Sequence, residues 1–347
     1  MIESNPPLQQ YYGRLLQESA GKGHQNRSCF YDPTHYPVIA ECELPLIDLD
    51  GLKRCDRRER LACSAAICKA ASEWGFFQVI NHGIDTELLR KMRREQVKLF
   101  DMPFEKKETC GLLNNSYRWG TPTATRPNQF SWSEAFHIPL TKISEPACWG
   151  EFKSLSEVIN EFAAAMLRLS RLLAGILAEN LGNPKDAIEE ICDESTCFLR
   201  LNHYPKSEEE TFGLVPHTDS DFLTILYQDH VGGLQLMKDS KWVAVKPNPD
   251  ALIVNIGDLF QAWSNDEYKS VEHKVMANNK MERYSTAYFL CPCYNTLIGS
   301  RTESSIYRKF TFGEYRNQIQ DDVKRFGHKI GLSRFLQDTN PLIMKSD

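Results

Sequence analysis

The sequence lacks any apolar run long enough to cross a bilayer, and its first residues, MIESNPPLQQYYGR, lack the apolar stretch of a secretory signal. It also lacks an excess of positive charge. A net charge of −5 argues against nonspecific binding to nucleic acid or to an anionic membrane surface, although a local basic pocket for a small acid remains open. Disulfide grammar is missing too: there are 11 cysteines, an odd number without regular spacing. A reduced cytosolic or nuclear compartment is therefore expected, with most cysteines acting as small buried hydrophobes. Cys291 and Cys293 flank one proline, but no second pair stands at zinc-ribbon spacing. Internal repeats, low-complexity tracts and a clear interdomain linker are absent as well. What remains is an ordinary soluble chain of 347 residues, 41% hydrophobic and 25% charged, long enough to bury a sizeable core.

Residues 1–40 contain NPPL, GKGHQNRS and YDPTHYP with little periodicity and read as a mostly irregular arm. A mixed region, 41–195, follows. It opens with a short strand at 44–50 and a helix over 57–74 closed by Gly75. A strand at 76–80 leads to a turn at 81–83, where His82 is read as structural. Asp85 is placed to cap the next helix. Residues 109–130 look loop-like, and 131–138 has strand character. The longest helical pattern covers 154–181, ended by Gly182, and a short helix is expected at 187–192. From 196 the pattern changes to short strands: 197–204, 222–227, 233–237, 241–245, 251–256, 273–277, 286–290 and 296–299. Such spacing indicates a sandwich, barrel or jelly roll. A helix over 312–326 closes this core, 196–330, and 331–347 is left as a tail. The class is α+β, with the helices in front and the β-rich half packed behind as one unit.

Within the core, His217 and Asp219 are separated by one residue. If that stretch is extended, an imidazole and a carboxylate point into one cavity. Alone, a His-x-Asp is more often a capped turn. A third donor changes the balance: between residues 231 and 327 the sole histidine is His273, in a strand-like context. Two imidazoles and one carboxylate on one face of a metal suit a non-haem Fe(II) that keeps positions open for co-substrate and dioxygen. Farther along, Arg283 and Ser285 form another i, i+2 pair. A guanidinium fork with a neighbouring hydroxyl suits the far carboxylate of a co-substrate, and Tyr204 offers a further hydroxyl.

His217-x-Asp219, His273 and Arg283-x-Ser285, preceded by Asn202-x-Tyr204-Pro205, resemble the plant Fe(II)/2-oxoglutarate-dependent dioxygenases. LPLIDL at 44–49 and WGFFQVINHGI at 74–84 are similar to the amino-terminal part of that family, so the likeness spans roughly residues 40 to 330. It implies a double-stranded β-helix, or jelly-roll, core flanked by N-terminal helices and a C-terminal helix. It also implies Fe(II) on His217, Asp219 and His273, and 2-oxoglutarate against Arg283, Ser285, Tyr204 and Asn202, with ascorbate as an auxiliary reductant. No protein acid or base is required of such chemistry. Lys206-Ser207 departs from relatives that carry a cysteine there, at positions remote from iron.

Three stretches resemble the gibberellin 2-oxidases that act on twenty-carbon gibberellins: 117–120 (YRWG), 131–138 (SWSEAFHI) and 212–226. Trp132 and Phe212 are variations on that pattern. A gibberellin is a rigid apolar acid, so Tyr117, Arg118 and Trp119 are candidates for its pocket wall, with Phe136 and His137 behind them. Tyr117 and Trp119 could equally pack against the β core. The implied activity is 2β-hydroxylation with O2, which inactivates the hormone or its precursors. Two other readings stay open at this point. One is a dioxygenase acting on a flavonoid or at another gibberellin position; the other is a β-sandwich that binds a ligand or metal without turnover. The sequence does not give the oligomeric state.

Overall fold

The structure, a computed structural model, describes residues 3–13, 38–109, 115–122, 124, 129–143, 145, 149, 152–184, 186–299 and 304–337. Two sheets form the body. One orders its strands β1 (Val38–Cys42), β10 (Lys241–Val245), β9 (Leu234–Lys238), β12 (His273–Met276) and β7 (Phe212–His217). The other begins β2 (Leu46–Asp48), β3 (Phe76–Ile80), β11 (Leu252–Ile256) and β8 (Leu223–Gln228). It continues with β13 (Arg283–Leu290), β6 (Phe198–Tyr204), β5 (Glu134–Pro139) and β4 (Tyr117–Trp119). The two sheets make the jelly roll, and its core pairings β8–β13, β8–β11 and β7–β12 are antiparallel. Strands from the N-terminal region widen it: β1 joins β10 in parallel, β3 joins β11 antiparallel, and β2 joins β3 in parallel. A small third sheet pairs β14 (Leu297–Ile298) with β15 (Phe310–Thr311).

Helices cover the larger sheet. α1 (Arg57–Glu73) and α2 (Thr86–Phe100) are capped by Asp56 and Asp85, whose carboxylates accept from the Arg58 and Glu87 amides. Gly75 closes α1 at φ 64°, and a Cβ there would meet the Lys269 carbonyl oxygen at 2.2 Å, so only glycine fits. The longest helix, α3 (Lys153–Asn180), buries Leu155, Phe162, Met166, Leu169 and Leu173 against α1, α2 and the backs of β8 and β13. α4 (Asp258–Trp263) follows β11. α5 (Phe312–Phe326) is capped by Thr311 and closed by Gly327 in the left-handed region.

The structure amends several expectations. The arm holds a helical segment at 8–13 and ends in β1, while 14–37 lie outside the described residues. Part of the loop-like stretch 109–130 is strand β4. Strand β7 was not anticipated because Gly213 and Pro216 interrupt its pattern. It lies at a sheet edge, where a proline costs no ladder hydrogen bond. α4 was too short to declare itself. Residues 331–335, placed in the tail, form a 3-10 turn whose Phe335 packs on Phe310 and Tyr315. Cys63, Cys68, Cys192, Cys197 and Cys291 are buried free thiols.

Candidate active site

A cavity of about 450 Å³ opens between the two sheets. His217 ends β7 and His273 begins β12, and the two are direct cross-strand partners, so their rings share one face at 4.3 Å between centroids. Asp219 lies just past the strand end, in the turn before β8, rather than on a strand as its spacing had suggested. Its Oδ1 is 3.6 Å from His217 Nε2 and 3.8 Å from His273 Nε2. One ligand atom from each of the three lies within 4.8 Å of the others.

The surroundings fix how these groups present themselves. His217 Nδ1 is 2.8 Å from the Val215 carbonyl oxygen and His273 Nδ1 is 3.0 Å from that of Val271. A carbonyl only accepts, so each Nδ1 carries a proton and each Nε2 faces inward. Burial, and then the adjacent His273, pushes the His217 imidazole below its ordinary range, which keeps it neutral. Asp219 Oδ2 takes the Asn255 amide at 2.8 Å and the Thr224 hydroxyl at 2.7 Å, leaving Oδ1 toward the imidazoles. Burial raises the Asp219 carboxyl, but the two imidazoles and these hydrogen bonds more than offset that, and it stays ionised. Thr224 Oγ1 is also 2.8 Å from Asp221 Oδ2. A hydroxyl has a single proton, and burial together with the Asp219 charge pushes Asp221 well above the carboxylate range, so Asp221 supplies the other proton. Two imidazoles with Nε2 facing inward and one oriented carboxylate oxygen form a donor set that fits a divalent iron.

Arg283 lies deeper, on β13, and is 1% exposed. Its Nη2 donates to Gln228 Oε1 at 2.8 Å, Nη1 is 3.5 Å from Ser285 Oγ, and the guanidinium lies over the Tyr204 ring at 4.8 Å. Among the described residues it has no acid partner, and both Arg283 Nε and Gln228 Nε2 lack a hydrogen bond. A buried, uncompensated guanidinium needs an anion. Register explains the grouping: on β13 and β6, Arg283 sits opposite Tyr204 and Ser285 opposite Asn202. Asn202 Nδ2 reaches Ser285 Oγ at 3.4 Å. All four side chains line the cavity.

The expected substrate wall is another matter. On β5 only one parity of residues faces the cavity, and His137 and Pro139 line it. Phe136 has the other parity and is fully buried in the core. Tyr117 is its cross-strand partner and bonds Glu134, so it too points away. Trp119 packs on Phe104 and Tyr11. Arg118 pairs with Ala135 on the cavity-side parity, one strand beyond the lining, where Nη1 donates to the Asn115 carbonyl at 2.7 Å. Of these five candidates, the structure brings only His137 to the cavity. Sequence reading overlooked Gln228, Asn255, Arg200 and Arg316. Arg200 was within reach, since it lies two residues before Asn202 on the same strand face; nothing local marks the others.

Residues 195–292 match the 2OG-Fe(II) oxygenase superfamily, and residues 44–156 match the N-terminal region of non-haem dioxygenases in morphine synthesis. The chain is 58% identical over 313 residues to gibberellin 2-beta-dioxygenase 6 of Oryza sativa subsp. japonica, covering 87% of each chain. It belongs to the gibberellin 2-beta-dioxygenase family of 2OG-Fe(II) oxygenases. Gibberellin 2-beta-dioxygenase 8 of Arabidopsis thaliana is 51% identical, with 96% of this chain and 98% of the relative covered. A crystal structure of JOX2 in complex with 2OG, Fe and JA superposes with a TM-score of 0.70 at 31% identity, over 86% of this chain and 91% of that one. As a member of this dioxygenase family, the protein is an enzyme dependent on Fe(II) and 2-oxoglutarate. Among the described residues no helix is long and apolar enough to cross a membrane.

Proposed function

We propose that this dioxygenase hydroxylates gibberellins at the 2β position, with His217, Asp219 and His273 holding Fe(II) and with Arg283, Ser285, Tyr204 and Asn202 holding 2-oxoglutarate. Twenty-carbon gibberellins are its preferred substrates, and its role is to inactivate the hormone or its precursors. The single observation that carries the reading is the buried Arg283, without an acid partner among the described residues, in the same cavity as the His217, Asp219 and His273 cluster. The substrate class is supported by 58% and 51% identity to gibberellin 2-beta-dioxygenases across most of the chain.

Bound Fe(II) supplies oxidative decarboxylation of 2-oxoglutarate by O2, to succinate and carbon dioxide, coupled to insertion of one oxygen atom into a substrate C–H bond. The chain's own part is placement. Carbonyl acceptors hold His217 and His273 as inward donors, and Asn255 and Thr224 fix the Asp219 carboxylate. Arg283 and Ser285 receive the distal carboxylate, with Gln228 holding the guanidinium in register. Phe76, Leu214, Leu226 and Val275 line the cavity with apolar surface that excludes water from the reacting carbon. No side chain has to act as general acid or base. Residues 41–195 and 196–330 work as one unit, a reading supported by the pairing of β3 with β11. The enzyme meets its substrate in the cytosol or nucleus.

Purified protein supplied with Fe(II), 2-oxoglutarate and ascorbate is incubated with twenty-carbon gibberellins, nineteen-carbon gibberellins and a flavonoid panel, and products are read by mass spectrometry. The expected result is succinate together with 2β-hydroxylated gibberellin, fastest from the twenty-carbon acids. Hydroxylated flavonoid without hydroxylated gibberellin would overturn the substrate assignment, and no succinate with any substrate would point to a non-catalytic binding protein.

A further inference from the structure

The outer half of the cavity carries charge that the reaction itself does not use. On β6, Phe198, Arg200, Asn202 and Tyr204 alternate onto the cavity face, so one strand runs from its mouth to its inner end. Arg200 sits opposite Ala287 and Tyr204 opposite Arg283. Four residues of strand therefore separate the Arg200 row from the Arg283 row, about 13 Å. A five-carbon diacid spans about half that length, so a molecule held at Arg283 reaches the Asn202 row, to which Arg200 Nε donates, but not the Arg200 row itself.

Arg316, on α5, faces the same mouth from the opposite side of the chain and also lines the cavity. Both arginines are held by neutral partners only. Arg200 Nε donates to Asn202 Oδ1 at 2.9 Å, and Arg316 Nη1 donates to the Tyr294 hydroxyl while its guanidinium lies over the Tyr294 ring at 5.3 Å. Among the described residues neither forms an ion pair; Arg200 is half-buried and Arg316 is exposed at the mouth. The acids that line this cavity, Asp219 and Asp221, belong to the inner end. Between the two cations lies His137, the cross-strand partner of Arg200, with its ring stacked on Phe198 at 4.1 Å. Crowding by protein, and then Arg200, Arg316 and Arg118 in that order, lowers the His137 imidazole to about 4, so it adds no charge of its own. The mouth is thus cationic, with Phe198, Phe289 and Phe312 as apolar wall between the charges.

We propose that Arg200 and Arg316 bind the carboxylates of the substrate and make the enzyme select dicarboxylic acids over monoacids of the same skeleton. This deepens the gibberellin reading and rests on it. A twenty-carbon gibberellin with a free acid on the A ring carries two carboxylates. Its nineteen-carbon counterpart ties one of them into a lactone and keeps a single charge. Two guanidiniums without an ion pair at one mouth match the diacid, and only one of them finds a carboxylate on the lactone.

The test measures binding of a twenty-carbon gibberellin diacid, its monomethyl esters and a nineteen-carbon lactone to the anaerobic Fe(II)- and 2-oxoglutarate-loaded enzyme. KM for each is then measured in air. Arg200→Met and Arg316→Met are each expected to weaken the diacid roughly tenfold or more, in Kd and KM rather than in kcat. They should also shrink the preference for diacid over ester, with partial rescue by Arg→Lys. Affinity for 2-oxoglutarate stays within about twofold in Arg316→Met and reports a folded protein; for Arg200→Met, whose partner Asn202 belongs to the co-substrate site, thermal unfolding reports the fold. Diacid binding and selectivity that survive both substitutions overturn the clamp alone. A wild-type enzyme that binds no gibberellin acid of either kind overturns the gibberellin reading and the clamp with it.

Discussion

At the inner end of the cavity each polar group is held by a second contact. His217 and His273 lean on carbonyls, Asp219 on Asn255 and Thr224, and Arg283 on Gln228. At the outer end, Arg200 and Arg316 rest on neutral groups and open toward the mouth. The first arrangement suits a fixed metal and one invariant co-substrate, where misplacement by a fraction of an ångström is costly. The second suits a larger molecule that must enter, turn and leave. On the proposed reading, chemistry is set at one end and choice of substrate at the other.

That contrast can be broken most severely at the proposed iron residues. His217→Ala should reduce turnover to background and weaken Fe(II) binding, read by equilibrium dialysis, by more than roughly the hundredfold that loss of a supporting contact costs. Undiminished turnover would refute the metal assignment. Next in size, Arg283→Met should raise the Kd for 2-oxoglutarate roughly 10- to 100-fold, because charge-assisted bonds in a buried site are lost. A change confined to gibberellin affinity would instead place the substrate acid at the inner end.

A smaller effect is expected at Lys329. Its Nζ donates to the Thr218 carbonyl at 2.8 Å and to Ser220 Oγ at 2.9 Å, and pairs with Asp258 at 2.5 Å. It thereby ties the segment after α5 to the turn that carries Asp219. Lys329→Met should weaken Fe(II) several-fold and leave diacid selectivity unchanged. That is less than the roughly 10- to 100-fold for a group bonded directly to a metal ligand, because Lys329 acts through the turn backbone. Equal weakening of Fe(II) and gibberellin would show that the two ends are not separable. The smallest effect concerns the residue expected in the substrate wall. Tyr117→Phe deletes a hydroxyl bonded to buried Glu134, and should cost about 1 kcal/mol of stability in urea unfolding while KM for gibberellin holds. A large KM effect would return Tyr117 to the pocket.

Much of the inner end was legible because its signals are local. His217 and Asp219 announce themselves at i, i+2, His273 is the one histidine in a long interval, and Arg283 with Ser285 repeats the i, i+2 rule on a strand. The helix ends were legible for the same reason, as at Asp85 and Gly75. Strand β7 was hidden by Gly213 and Pro216, which only an edge position accommodates. The substrate wall failed on parity. Tyr117, Trp119 and Phe136 are aromatic and adjacent to a strand, but which face of β4 and β5 meets the cavity depends on pairing with β6, which no local pattern states. Arg200 and Arg316 come from a strand and a helix far apart in sequence and meet only in the folded chain.

The most direct measurement is an anaerobic crystal structure with Fe(II) and 2-oxoglutarate. The metal is expected on His217 Nε2, Asp219 Oδ1 and His273 Nε2, and the distal carboxylate of 2-oxoglutarate on Arg283 and Ser285. A 2-oxoglutarate whose distal carboxylate lies instead against Arg200 and Arg316 would contradict the assignment of the two ends.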